Sequence, residues 1–267
     1  MGVREIEVFE DTVDKSVFKY ADETHKMKDE TKVYIQPIND LLFMPHPIMP
    51  NKDMKISVVN GGTVSEGAKL AKSGRTAILN FADALVPGGL VLSGETTQEE
   101  NICRCSNLYQ SLTMEKARTQ YYEVNEKMVK AQGRSEYTDN LIYSRGVLFF
   151  KDDTTYDDVE PYYMDVITCP APSCKLAPNR EYDTIYNRVL KIVKSAALNR
   201  VENVVFGAWG CGAFGQNPYV VATCFRDILS KYNAFNNVVF AIRSCDADTD
   251  KVTNLRAFKQ VFDSISK

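Results

Sequence analysis

Histidine is nearly missing from this chain of 267 residues: His25 and His46 are the only two, both within the first fifty residues and neither near a promising nucleophile. A Ser-His-Asp machine is therefore not expected. Basic excess is missing too, since 32 Lys and Arg face 35 Asp and Glu for a net charge of -3. No global positive field draws in a nucleic-acid duplex, although a local phosphate pocket stays open. No apolar run is long enough to span a bilayer, so no membrane partner is expected. Met1-Gly2-Val3-Arg4-Glu5-Ile6 leads into alternating charge rather than the apolar stretch of a signal peptide, and Ile6 stands where a myristoylation pattern wants Ser or Thr. A cytoplasmic protein is expected. The seven cysteines (Cys103, Cys105, Cys169, Cys174, Cys211, Cys224, Cys245) are odd in number and sit mostly in apolar patterns, as reduced thiols do. Cys103 and Cys105 lack a second pair or a nearby histidine, and helical spacing points their thiols apart. No metal and no cofactor is expected.

What is present is enough apolar residue, 44%, to bury a full core. One large α/β domain over residues 55–267 is expected, preceded by a packed N-terminal arm over 1–54 that mixes charge with Pro37, Pro45, His46, Pro47 and Pro50 and has weak helical periodicity only over 13–20. Hydrophobic patterning predicts strands at 56–59, 76–81, 141–143, 147–150, 164–168, 204–206 and 238–242. Helices are predicted at 64–71, 99–112, 184–198, 218–232 and 254–265. That alternation describes a mixed α/β sheet. Lys191, Lys194 and Arg200 read as a solvated helix face, and Trp209, Tyr121, Tyr122, Tyr162 and Tyr163 as core or rim. There is no internal repeat and no low-complexity tract.

Two glycine loops carry the chemical signal. The first, Pro87-Gly88-Gly89, follows the strand at 76–81 and leads to Gln98-Glu99-Glu100 at a helix start. The second, Gly207-Ala208-Trp209-Gly210-Cys211-Gly212-Ala213-Phe214-Gly215, joins the strand at 204–206 to a helix marked by Asn217 as its cap and Pro218 at its first position. Glycines let amides approach oxygens, and a helix start adds positive potential, so strand, loop and helix together form a phosphate cradle. One such loop is as readily a tight turn; two, each after a strand, are a stronger signal. Neither has Walker or Rossmann spacing. Acidic residues in a first turn also serve as plain dipole partners, so position alone leaves Glu99 and Glu100 open between that role and acid catalysis. The neighbouring glycine loop favours the second.

Asn80-Phe81-Ala82-Asp83, Pro87-Gly88-Gly89, Gln98-Glu99-Glu100, Arg104-x-Ser106-x-Leu108-Tyr109, Asp165-Val166-Ile167-Thr168-x-Pro170-Ala171-Pro172, the second glycine loop and Val239-Phe240-Ala241-Ile242 occur in one order. In that order, over residues 55–262, the chain resembles the microbial-type poly(ADP-ribose) glycohydrolases, which are built on a macrodomain. The resemblance implies a macrodomain-like three-layer α/β/α fold with a mixed central sheet and an N-terminal extension. It implies Glu100 as the catalytic glutamate, Glu99 as its positioning partner, residues 88–94 as the catalytic loop, and Gln98, Gly88 and Gly89 in the ligand site. Gly210, Cys211, Gly212, Ala213, Phe214 and Gly215 resemble the diphosphate loop, with Phe214 bracing the ligand. Asn80 and Asp83 fall near the distal ribose, and Phe240 and Ile242 in an adenine wall. Leu90 stands where the family has a third glycine, and Asp83 where it tends to have Asn or Ser. The implied activity cleaves the ribose-ribose bond of poly(ADP-ribose) and releases ADP-ribose, with polymer or ADP-ribosylated protein as partner. Two alternatives are an ADP-ribose-binding module without turnover and a hydrolase of mono-ADP-ribose on protein or nucleic acid.

Overall fold

Short runs rich in Val, Ile and Phe, apolar on both sides, suit strands covered on both faces. In the computed structural model, which describes residues 2–35, 38, 53–133, 135–173, 176–243 and 253–263, they form the centre of one mixed sheet. Its strands are β1 (Lys32–Tyr34), β2 (Lys55–Val59), β3 (Thr76–Phe81), β4 (Leu141–Lys151), β5 (Asp158–Cys169), β6 (Asn203–Phe206) and β7 (Asn237–Ala241). They lie in the order β1-β4-β5-β3-β6-β7-β2. β5, β3, β6, β7 and β2 run parallel, while β4 is antiparallel to both β1 and β5.

The helices are α1 (Val3–Asp14), α2 (Ala21–Glu30), α3 (Thr63–Ala71), α4 (Gln98–Cys105), α5 (Leu108–Leu112), α6 (Glu115–Ala117), α7 (Glu123–Gln132), α8 (Pro178–Leu198), α9 (Pro218–Leu229) and α10 (Asn254–Asp263). On one face of the sheet α8, α9 and α10 bury Ile192, Trp209, Phe225, Phe240 and Phe258. On the other, Phe9, Val64, Ile102, Leu108 and Phe149 form a second core with α1, α3, α4 and α5. The three-layer macrodomain-like arrangement is therefore present. No helix among the described residues is long and apolar enough to cross a membrane.

Several elements differ from the patterning. Residues 3–30 are helical nearly throughout, with a π-turn at Lys15–Lys19 between α1 and α2. The wider turn shifts the apolar phase and hides the period from a 3.6-residue template. A second π-turn, Arg118–Tyr122, does the same between α6 and α7, a helical stretch that the patterning misses. The helix predicted over 99–112 is broken at Ser106, which is extended (φ -149°) and bridges to Phe149. The break is stable because Asn107 serves Leu148 twice, its amide donating to the carbonyl at 3.1 Å and its side-chain oxygen accepting from the N–H at 2.9 Å. β4 is one strand with an irregular register after Ser144, where two were expected. Lys191 and Lys194 are not a solvated face: both are buried, 7% and 8% exposed, whereas Arg200 is exposed. Pro37, Pro45, His46, Pro47, Pro50, Cys174 and Cys245 lie outside the described residues.

Candidate active site

The parallel strands β3, β6, β7 and β2 end together, and the loops leaving their carboxyl ends surround one groove, the usual place for a ligand in such a sheet. Gln98, Glu99 and Glu100, the first three residues of α4, are each tied to a different part of its wall. The Gln98 side chain accepts from the Phe81 amide at 2.8 Å and donates to the Leu79 carbonyl at 2.7 Å, so α4 starts against the end of β3. Glu99 accepts from the Asn80 side-chain amide at 3.1 Å and from the Asp83 N–H at 2.7 Å. Glu100 accepts from the Leu90 N–H at 2.9 Å through Oε1 and from the Thr97 hydroxyl through Oε2. Successive helical side chains diverge by about 100°, so three anchors fix the rotation of α4 as well as its position.

The loop between β3 and α4 is shaped by its own backbone demands. The Asp83 carboxylate accepts from the Leu85 and Val86 amides at 2.6 and 2.9 Å, an Asx turn that lets the chain reverse. Gly89 follows at φ +61°, and a Cβ there would lie 2.4 Å from Glu100 Oε1 and 3.2 Å from Glu99 Oε2. Leu90, by contrast, has φ -98° and is 53% exposed. A side chain is sterically ordinary at that position, so the missing third glycine removes no conformation the loop needs. The Leu90 side chain turns to the groove mouth while its amide holds Glu100.

Opposite α4, the loop after β6 folds back on itself through Gln216 N to Gly210 O and Gly215 N to Gly212 O, both 3.0 Å. Gly210 sits at φ +77° with a would-be Cβ 2.6 Å from that of Ala171, so only glycine lets the two loops touch. The amides of Gly212, Ala213 and Phe214 donate to nothing among the described residues, and an open row of N–H groups of this kind is an anion cradle. Trp209 anchors the loop from below, fully buried and donating to the Cys169 carbonyl at 2.9 Å.

The groove has two connected parts. The first, about 390 Å³, is lined by Asp83, Gly89, Leu90, Gln98, Glu99, Glu100, Gly210, Gly212, Ala213 and Phe214. The second, about 310 Å³, runs on past Phe81, Thr97 and Gln98 to Gly61, Gly62, Ile242 and Arg243. Five sequence-derived site residues stand elsewhere. Phe240 is a correction: it is fully buried between Phe206, Phe225, Phe258 and Phe262, one residue inside the sheet where alternation turns it to the α9–α10 layer. Asn80 is also fully buried and reaches the groove only through Glu99, with its second hydrogen bond going to Thr168. Gly88 packs under Tyr109. Cys211 and Gly215 shape the loop without lining the groove, and burial pushes the Cys211 thiol up to about 12, so it carries no thiolate. Cys103 and Cys105 are buried, and no group of metal-ligating side chains exists among the described residues.

Thr97 is a site residue that sequence reading missed, as are Gly61, Gly62 and Arg243 in the far part of the groove. Thr-x-x-Glu before a helix is the signature of a capping box, and that signal was available. Here the Thr97 hydroxyl turns from the helix amides to the Glu100 carboxylate.

Burial is the largest influence on Glu99 and pushes its carboxyl well above the ordinary 4.5, against the lowering pull of the Asp83 amide and the Asn80 side chain; the Asp83 and Glu100 charges raise it further. A carboxyl that holds its proton more tightly when folded stabilises the fold fully below the ordinary value. That contribution is lost as pH rises through the folded value. Across pH 4.5 upwards, Glu99→Gln should therefore gain stability steadily relative to wild type. Denaturant unfolding at a series of pH values checks it, and a pH-independent difference between the two proteins would show that Glu99 titrates normally.

The family model for the microbial-type PARG catalytic domain matches residues 7–152. No curated protein matches the chain. Among solved structures, the poly(ADP-ribose) glycohydrolase of Deinococcus radiodurans in complex with ADP-ribose is 30% identical with a TM-score of 0.79, over 91% of this chain and 98% of that one. That of Thermomonospora curvata bound to the inhibitor ADP-HPD is 29% identical with a TM-score of 0.80, over 96% and 98%.

Proposed function

Since the chain belongs to the microbial-type poly(ADP-ribose) glycohydrolase family, we propose that its groove hydrolyses the ribose-ribose bond of poly(ADP-ribose) through Glu100 and releases ADP-ribose. The observation that carries the assignment is the position of Glu100, held by the Leu90 amide and the Thr97 hydroxyl and facing the same cavity as the open amides of Gly212, Ala213 and Phe214. One wall suits a diphosphate and the other offers a carboxyl.

In the first half of the reaction Glu100 gives a proton to the leaving ribose oxygen as the C–O bond breaks and the anomeric carbon gains oxocarbenium character. The substrate's own diphosphate, seated on the 212–214 amides, stabilises that cation. In the second half the Glu100 carboxylate takes a proton from water, whose oxygen bonds to the anomeric carbon. One carboxyl thus acts as acid and then base, unlike glycosidases that set two carboxyls across the sugar. Glu99 is the positioning partner, fixing the start of α4 to Asn80 and the Asp83 turn. Phe214 braces the ligand from the loop, and Ile242 lines the far part of the groove. ADP-ribosylated protein is the natural carrier of such polymer, the cytoplasm is where we place the enzyme, and a division into an arm over 1–54 and a catalytic domain over 55–267 remains our reading of the chain.

ADP-ribose at about 100 times its Kd should add about 2.7 kcal/mol by mass action, a rise in Tm of about 5 °C or more for a chain of this size. AMP should give less and ribose almost none. Thermal unfolding with each ligand checks it, and an unmoved transition at millimolar ADP-ribose would remove the diphosphate cradle from the mechanism. Release of ADP-ribose from labelled poly(ADP-ribose) tests the activity itself.

A further inference from the structure

Away from the groove, α8 turns Asn187, Leu190, Lys191 and Lys194 to a second cavity of about 550 Å³, closed by Ile35, Ile38 and the Asp139–Asn140 turn. The spacing i, i+3, i+4, i+7 puts these four on one helix face. Two ammonium groups on a buried face are unusual, since an uncompensated buried cation is costly and is normally paired. Lys191 is only 7% exposed yet makes no hydrogen bond or ion pair among the described residues, and burial lowers its proton affinity accordingly. Lys194, 8% exposed, has among the described residues only the face of the Tyr232 ring, its Nζ 5.3 Å from the centroid. The one carboxylate in the wall among the described residues, Asp139, is engaged by Arg188 Nε at 2.8 Å. Among the described residues, Lys191, Lys194 and Arg188 face Asp139 alone, which leaves two positive charges uncompensated.

We propose that this cavity is a second anion site, built for the doubly charged pyrophosphate group. A single carboxylate would leave one ammonium unmatched, whereas pyrophosphate offers oxygens to Lys191, Lys194 and the Asn187 amide at once. The site is joined to the catalytic groove by Arg188, whose guanidinium donates to the Pro170 carbonyl at 3.0 Å and the Tyr137 carbonyl at 3.0 Å. Ala171 then lines the groove, and the Tyr137 ring stands 6.5 Å from that of Phe214. Pyrophosphate has two sources here: the free anion, or a further unit of the polymer whose end lies in the groove. The second source rests on the function proposed above; the first does not.

The experiment begins with the groove saturated by ADP-ribose, so that added inorganic pyrophosphate reports only on other sites. Calorimetric titration should give one further binding event, weakened at least about tenfold in Lys191→Met and in Lys194→Met, as expected for loss of a charge-assisted hydrogen bond. Methionine keeps the volume and removes the buried charge, so both variants should fold, and an unchanged Tm shift with ADP-ribose verifies it. No second event, or one that both variants retain, overturns the site. Given a site, a KM for long polymer raised in the variants with KM for short oligomers unchanged identifies the polymer as the source. Unchanged KM for both substrates identifies the free anion.

Discussion

Glu100→Gln is expected to lower turnover of poly(ADP-ribose) by at least about a hundredfold, the low end of what a positioned general acid contributes, while ADP-ribose binding stays within about threefold. The separation follows from the contacts. The amide oxygen of Gln keeps the acceptor for the Leu90 N–H, and the Thr97 hydroxyl can reverse and accept from the new NH₂. The loop between β3 and α4 therefore keeps its shape, and the amides of Gly212, Ala213 and Phe214 are untouched on the other wall. Only the exchangeable proton is gone. Single-turnover hydrolysis and calorimetric titration on the same preparation check it. A variant with near wild-type turnover would remove Glu100 from the chemistry, and one that loses binding equally would make it a scaffold residue.

Much of this site was legible in the sequence because its essential parts are local. A glycine loop after a strand, a glutamate pair in a first helical turn, and a capped helix after a second glycine loop are short patterns, each with a plainer use alone and informative because they occur together. What the sequence did not reveal depends on distant contacts. The resemblance places Asn80 and Asp83 near the distal ribose; Asp83 lines the groove, while Asn80 is buried and reaches it only through Glu99, a pairing made across 19 residues of chain. Phe240 and Ile242 look alike in a strand, yet the groove begins only where β7 ends, so Ile242 lines it and Phe240 is core. The two π-turns defeated a fixed helical period, and Lys191 and Lys194 share their cavity with Ile35, Ile38 and the Asp139–Asn140 turn, which lie far from α8 in the chain. Leu90 is a further case where backbone geometry decides. It departs from the family's third glycine, and a negative φ with an exposed side chain makes that departure harmless to the backbone.

The glycine that the chemistry cannot spare is Gly89, and Gly89→Ala should reduce turnover about as severely as loss of the acid. Two effects add. An alanine at φ +61° is held in the left-handed region, at a cost of about 1 kcal/mol. Its Cβ would also stand 2.4 Å from Glu100 Oε1, closer than any real contact, so either the loop withdraws and the Leu90 amide leaves the carboxylate, or Glu100 rotates away. Either route moves the carboxyl by about 1 Å, and a misplacement of that size is worth about a hundredfold in rate. Gly133→Ala separates the two effects. That residue ends α7 at φ +65° with nothing within 4 Å of its would-be Cβ, so it carries the same backbone strain without the clash. The pair should lose similar stability in denaturant unfolding, about 1 kcal/mol each, while only Gly89→Ala loses turnover. Equal activity in the two variants would mean that the close approach of the loop to Glu100 has no part in catalysis.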